Sequence, residues 1–200
     1  MENQEQVWDR IAEEWHEFKK IPSLKSVEFL KQTSGKVLDL GSGSGRHLTK
    51  IKNMKQYLVD FSQNLLDLAK SKAQKLKINA EFTKADLSKL PFEKDFFDYA
   101  ISISALHCLT AENSKKAIKE LYRTLKPKAQ AYIGVWNEDS RRFKTKKNKT
   151  KELSIGWRDK GKRYYYLFNE KEIHNLFKKA GFKIISTHNS EMMINFIAKK

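Results

Sequence analysis

Residues 36–47 read KVLDLGSGSGRH: an apolar run, then glycines at alternate positions, Gly41, Gly43 and Gly45, then the basic pair Arg46 and His47. Missing side chains let a ligand reach the backbone and permit positive φ. A helix opening at Arg46 would add free N–H groups. A dinucleotide-binding turn places its third glycine five residues after the first. Here that position is Arg46, and the third glycine comes one residue early. Asp39 stands two residues before Gly41. A carboxylate there would repel a pyrophosphate and suits an ammonium group.

The elements that must position this loop follow from periodicity. Residues 4–20 put Val7, Ile11, Trp15 and Phe18 on one helical face. Pro22 breaks that helix, Ser23 caps a second, and Gly35 closes it. Strands are expected at 36–40, 56–60, 78–86, 96–104 and 129–136. Helices are expected at 46–54, from Ser62 to about residue 76, and at 113–126, ahead of Pro127. A polar, basic stretch spans 137–163, and Asn169 then caps a helix closed by Gly181. Two closing strands, 182–187 and 192–200, are too close for a helical crossover, so they pair antiparallel. The alternation predicts an α/β fold, with a mostly parallel seven-stranded sheet, one reversed strand and helices on both faces. Ligands in such sheets bind beyond the carboxyl ends of the strands.

The 200 residues suit a single domain, with 1–34 as a helical cap segment and 137–163 as a basic insertion. Forty basic against 24 acidic residues leave a net charge of +16, which favours polyanions, nucleic acid first. A solvated lysine-rich surface is the plainer reading of the same charge. Cys108 is the one cysteine, so no internal disulfide or zinc cluster is expected, and a reducing cytoplasm fits. The chain shows no apolar run long enough for a membrane span and no basic, apolar leader at its start.

VLDLGSGSG resembles the first motif of the class I S-adenosylmethionine-dependent methyltransferases, and three more stretches agree in order. Asp60 ends the second strand, 19 residues beyond Gly41. ADLSKLPFEKDFFDYAIS is similar to the family's run through the fourth strand, and ELYRTLKPKAQAYI to its fifth-strand approach, with Lys128-Ala129 in place of the usual glycine pair. The resemblance implies S-adenosyl-L-methionine as cofactor. It implies that Asp39, Gly41, Ser42, Gly43 and Gly45 hold the methionine half, Asp60 with Phe61 the ribose, and Asp86 with Leu87 the adenine, with Ser104 also against the cofactor. Taken singly, Asp60 is better read as a strand-end turn residue and Asp86 as a solvated loop carboxylate.

Most of the chain further resembles the tRNA wobble-uridine carboxymethyl methyltransferases. VWDRIAEEWHEFKKIPSLKSVEFL is similar to their N-terminal helix pair, with Lys19 where they carry an arginine three residues before the proline. SALHCL is similar to their segment after the fourth strand, with His107 on the first histidine and Cys108 replacing the second. AYIGVW ends in the matching Trp136, and RYYYLF in the matching tyrosine-rich approach to the last helix. A carboxylate acceptor is already ionised at neutral pH and needs no general base. It needs cations to orient it and exclusion of water. Lys19, Arg46 and His107 are the candidates, from three segments expected at one sheet edge. Each also has an ordinary reading: an exposed lysine, a solvated helix-start arginine, a capping histidine. Trp136 either lines the substrate cavity or packs, and at least one of Tyr164, Tyr165 and Tyr166 faces the core.

The segment Arg141 to Lys151 holds seven basic residues and no acid, with Phe143 inside it and Trp157 beyond. It suits phosphate contacts with base stacking, hence tRNA as partner, or is simply a solvated insertion. A small zinc-binding activator subunit is implied by the resemblance alone. Two other readings stay open: a methyltransferase for a small carboxylic or phenolic acceptor, and a non-catalytic RNA-binding relative.

Overall fold

The computed structural model describes residues 2–144 and 150–200. Among them, seven strands form one sheet: β1 (Gly35–Leu40), β2 (Met54–Asp60), β3 (Ala80–Lys84), β4 (Phe97–Ile103), β5 (Leu125–Trp136), β8 (Lys183–Thr187) and β9 (Met193–Lys199). Their order is β3-β2-β1-β4-β5-β9-β8. Only β9 runs against its neighbours, pairing antiparallel with both β5 and β8. The expected α/β sheet with one reversed strand is therefore the observed one.

Apolar side chains on both faces of the central strands explain the parallel arrangement. Val37, Leu38 and Leu40 of β1 and Leu58 and Val59 of β2 are fully buried. Helix α5 (Ala111–Thr124) buries Ala117, Ile118 and Leu121, and α7 (Glu170–Ala180) buries Ile173 and Phe177. Both pack on the main core with Phe97, Phe168 and Phe196. Helix α4 (Gln63–Leu76) is capped by Ser62, whose hydroxyl accepts from the Leu65 N–H at 3.2 Å. Asn169 caps α7, and Gly181 at φ +109 ends it, both as the sequence predicts.

Five expectations need correction. The helix between Ser23 and Gly35 covers only Leu24–Leu30: the Ser23 side chain makes no capping hydrogen bond, and Gly35 opens β1 rather than closing the helix. The first helix is two, α1 (Gln4–Arg10) and α2 (Ala12–Phe18), broken at Ile11. Next to the break, Asp9 is tied to α4: its carboxylate accepts from Ser62 Oγ at 2.5 Å and from the Asn64 N–H at 3.2 Å. Of the predicted apolar face, Val7 and Ile11 are buried while Phe18 is 64% exposed. Beyond the break comes α3 (Leu24–Leu30).

Residues 46–54 form no helix. Gly41, Gly43 and Gly45 all have positive φ and coil the chain into successive turns. The buried Gln56 side chain then accepts from the Thr49 N–H at 2.9 Å and donates to the His47 carbonyl at 3.4 Å. A side chain thus takes the backbone partners a helix would have used.

Helix α5 begins two residues early, where Thr110 Oγ1 accepts from the Asn113 N–H. It ends at Thr124, so Pro127 lies within β5, where the β4 pairing slips between Phe97 and Tyr99. Lys128 there has φ +69, taking the left-handed conformation without a glycine. The basic stretch 137–163 contains structure: a turn of helix, α6 (Arg141–Lys144), and β6 (Glu152–Gly156). With β7 (Lys162–Tyr166), β6 forms an antiparallel ribbon separate from the main sheet.

The ribbon and the N-terminal helices hold each other. The N–H groups of Lys162 and Tyr164 donate to Glu2 and Gln4 at 2.7 and 2.8 Å. Trp8, Ile11, Leu65, Leu153, Tyr165 and Leu167 share a second apolar cluster beneath them.

Candidate active site

Strand register brings the chemistry together. Asp39 of β1 lies between Leu58 of β2 and Ile101 of β4, so the loops after these three strands leave the sheet side by side. They open on a cavity of about 510 Å³. Of the thirteen residues singled out from the sequence, eleven line it: Lys19, Gly41, Ser42, Gly43, Arg46, Asp60, Phe61, Asp86, Leu87, Ser104 and His107. Asp39 and Gly45 do not.

Gly45 has a structural reason. A Cβ there would stand 2.7 Å from Leu48 Cδ1 and 3.0 Å from Ala69 Cβ, so its bareness lets the loop close on α4. Lys72 of α4 donates to its carbonyl at 2.8 Å. Gly41 is needed equally: a Cβ would meet Ala105 Cβ at 2.2 Å. Gly43 differs. It has φ +52, and a Cβ would meet nothing within 4 Å, although the residue lines the cavity.

Asp60 binds this loop to β2. Its carboxylate accepts from the Gly43 N–H at 2.8 Å and from the Ser62 N–H at 3.1 Å. Burial pushes its pKa up to about 6, against those backbone hydrogen bonds, which pull it down. Asp39 is buried behind the loop, and its Oδ2 has no hydrogen-bond partner. Burial raises its pKa to about 7, with Arg46 and Lys72 opposing and Asp60 reinforcing. Asp86 is exposed at the rim, its Oδ1 accepting from the Ser88 N–H at 2.8 Å.

On the cationic side, Arg46 reaches the Ser104 hydroxyl at 3.3 Å. Ser104 itself has φ +64, an uncommon conformation for a serine, directly after β4. Lys19 is half-buried. Burial lowers its pKa first, then the charges of Arg46, Arg142 and Arg163. None of these four cations has a carboxylate within 4 Å among the described residues. Arg163 is buried with its Cζ 4.8–5.9 Å from the ring centroids of Trp8, Trp15, Trp157 and Tyr165.

His107 is not a cation. Its Nδ1 accepts from the Trp136 N–H at 2.9 Å. Burial, then Arg46 and Lys19, push its pKa down to about 3. The neutral ring must carry its proton on Nε2, which makes it a fixed donor. Trp136 lines the cavity and packs in a triad with His107, 4.7 Å away, and Tyr165, 4.4 Å away, which are 5.8 Å from each other. Cys108 lines it too, but burial raises its thiol pKa to about 12 and keeps it protonated.

The basic segment is only partly as expected. Lys146, Lys147 and Lys149 lie outside the described residues, as does the side chain of Lys144. Phe143 is buried against Trp136 at 5.3 Å and offers no stacking surface. Lys151 is engaged by Glu172 at 2.6 Å and Glu138 at 3.1 Å. Arg141 and Arg142 are exposed, the latter with its Cζ 5.4 Å from the Trp136 ring.

Sequence reasoning gave Trp8, Arg163 and Tyr165 no role in this site, because it placed no ribbon at 152–166 against the N-terminal helices. The signal was faint: alternating residues in ELSIG and KRYYY around a turn ending in Gly161.

The unpartnered Asp39 oxygen behind a side-chain-free cradle, with Asp60 beside it, fits an amino acid joined to a nucleoside. A family model described as a methyltransferase domain matches residues 37–128. An uncharacterized protein of Methanocaldococcus jannaschii is 31% identical over 187 residues, 90% of this chain and 82% of that one. A mouse tRNA (carboxymethyluridine(34)-5-O)-methyltransferase is 32% identical over 159 residues, 77% of this chain. Residues 37–128 belong to the methyltransferase domain family.

Solved methyltransferases share the fold. A S-adenosylmethionine-dependent methyltransferase of Methanosarcina mazei aligns with a TM-score of 0.76 and 22% identity, over 90% of this chain and 99% of that one. A chain from the Haloferax volcanii complex of the Trm112 methyltransferase activator with a methyltransferase aligns with a TM-score of 0.74 and 16% identity, over 98% and 97%. The chain spans 23% of the mouse relative's length and 31% of that of an Arabidopsis thaliana relative bearing the same enzyme name. No described helix is long and apolar enough to cross a membrane, and no described cluster of ligating side chains suits a metal.

Proposed function

We propose that this chain transfers a methyl group from S-adenosylmethionine to the carboxylate of a 5-carboxymethyluridine in the wobble position of tRNA. The observation that carries the reading is the group of cations around Lys19, lacking any carboxylate partner among the described residues, beside a neutral histidine donor. Such a set calls for an anionic acceptor.

Asp39 would hold the cofactor's ammonium, Asp60 the ribose hydroxyls, and Asp86 with Leu87 the adenine. When bound, the cofactor supplies a methyl group on a sulfonium, open to in-line displacement. Lys19 and Arg46 attract and orient the carboxylate, and the Nε2–H of His107 fixes it as a neutral donor. No group has to remove a proton, since the acceptor is ionised at neutral pH. The N-terminal helices and the β6–β7 ribbon roof the cavity and exclude water. Arg46 carries the bidentate fork that Lys19 lacks.

The identity to the mouse and Arabidopsis relatives supports the tRNA acceptor, and the net charge of +16 supports a polyanionic one. An activator subunit belongs to the same reading, given the complex in which the Haloferax chain of like fold occurs. The test is mass spectrometry of nucleosides from tRNA incubated with the protein and labelled cofactor, run with and without such a subunit. Label in 5-methoxycarbonylmethyluridine is the expected result. Label confined to small carboxylic acids in a parallel panel would replace the tRNA reading.

A further inference from the structure

Three large apolar residues stand in solvent where the N-terminal segment turns: Phe18 at 64% exposure, Ile21 at 85% and Leu24 at 72%. Exposed apolar residues scattered singly need no explanation, but three within residues 18–24, next to the cavity-lining Lys19, do. Phe18 is also braced. Its ring centroid lies 5.6 Å from that of Trp157 at 71°, and 5.8 Å from that of Trp15. Trp157 is held in turn, its indole N–H donating to Glu14 Oε2 at 2.5 Å. The rings carry cations: Lys19 Nζ lies 5.1 Å from the Phe18 centroid, and Arg163 Cζ 4.8 Å from that of Trp157.

Lys19 and Trp15 belong to both places. They line the cavity and contact Phe18. An acceptor whose anionic group is held at Lys19 and whose chain continues outward has the exposed Phe18 ring within reach. We propose that Phe18, braced by Trp15 and Trp157, is a stacking platform for the nucleobase adjoining the methylated one, in unpaired RNA. The proposal rests on the reading that the acceptor is RNA. Rings edged by cations suit a base with its phosphate, whereas a purely apolar partner would leave those charges unanswered.

The test is fluorescence anisotropy of a labelled anticodon stem–loop titrated with the protein, alongside S-adenosylhomocysteine binding. Phe18 is exposed, so its substitution leaves the core intact. F18A is expected to weaken RNA binding about tenfold, as for loss of one stacked base, with S-adenosylhomocysteine affinity unchanged. F18W restores wild-type affinity, and F18L, apolar but not aromatic, stays as weak as F18A. Wild-type RNA affinity in F18A or F18L overturns the platform, as does a loss of self-association in F18A with RNA binding intact, which assigns the patch to a protein contact. A wild-type protein that binds S-adenosylhomocysteine but no stem–loop removes the RNA reading and the platform together. RNA binding that is strong and blind to Phe18 removes the platform only.

Discussion

The backbone N–H of Trp136 donates to Nδ1 of His107 at 2.9 Å, tying the end of β5 to the loop after β4. The bond settles the tautomer. With the pKa down at about 3, the ring stays neutral and offers Nε2–H alone. His107→Ala should lower kcat/KM for the acceptor about a hundredfold, the scale of losing one aimed donor, and leave S-adenosylhomocysteine affinity unchanged. Nitrogen NMR of the labelled ring should report the Nε2–H tautomer down to about pH 5. A titration near 6.5 would refute the assignment.

Asp39 should couple cofactor binding to protons. Its pKa is raised to about 7 by burial, so near neutrality the free protein carries a partly protonated carboxyl. An ammonium placed against the unpartnered Oδ2 favours the ionised form and lowers that pKa. Binding of S-adenosylhomocysteine should then release a fraction of a proton, approaching one at about pH 6, and affinity should rise with pH up to about 7. Calorimetry in buffers of different ionisation enthalpy measures the release. Asp39→Asn should cut it to the smaller share that Asp60, its pKa raised to about 6, can supply, and weaken binding.

Gly41 and Gly43 should fail differently. Gly41→Ala drives a Cβ into Ala105 and should cost about 1–3 kcal/mol of stability, seen as a lower Tm. Gly43→Ala meets no protein atom and adds only the left-handed cost of about 1–2 kcal/mol. Its main effect should be lost cofactor affinity, because Gly43 lines the cavity proposed for the ligand. Equal cofactor affinity in Gly43→Ala and wild type would show that the ligand keeps away from this loop.

Removing Asp60 should weaken cofactor binding and loosen the glycine loop. Asp60→Ala takes away the acceptor of the Gly43 and Ser62 N–H groups as well as the candidate ribose contact. S-adenosylhomocysteine affinity should fall at least about tenfold, the scale of a charge-assisted hydrogen bond. Unchanged affinity by calorimetry would cancel the ribose role.

The cation group should read out in the acceptor. Lys19→Ala and Arg46→Ala should each raise KM for tRNA with cofactor affinity unchanged, and Arg142→Glu should weaken tRNA binding. The wild-type affinity should fall steeply with salt, since each phosphate contact releases a counterion. Activity flat from low to moderate salt would speak against an RNA footprint at Arg141 and Arg142.

Local patterns carried the sequence a long way. Apolar runs ending in Asp39 and Asp60, caps at Ser62 and Asn169, and the short gap before the last strand specify strands, helices and the reversed end of the sheet, because each depends on near neighbours. The family resemblance and the strand-end rule together picked out thirteen residues, eleven of which line one cavity. Tertiary structure decided the rest. The split at Ile11 accompanies the tie between Asp9 and Ser62, 53 residues away. The coil after Gly45 depends on Gln56 reaching back to Thr49 and His47. The charge state of His107, the lone oxygen of Asp39 and the ring cage of Arg163 come from burial and from partners distant in sequence, which no local spacing encodes.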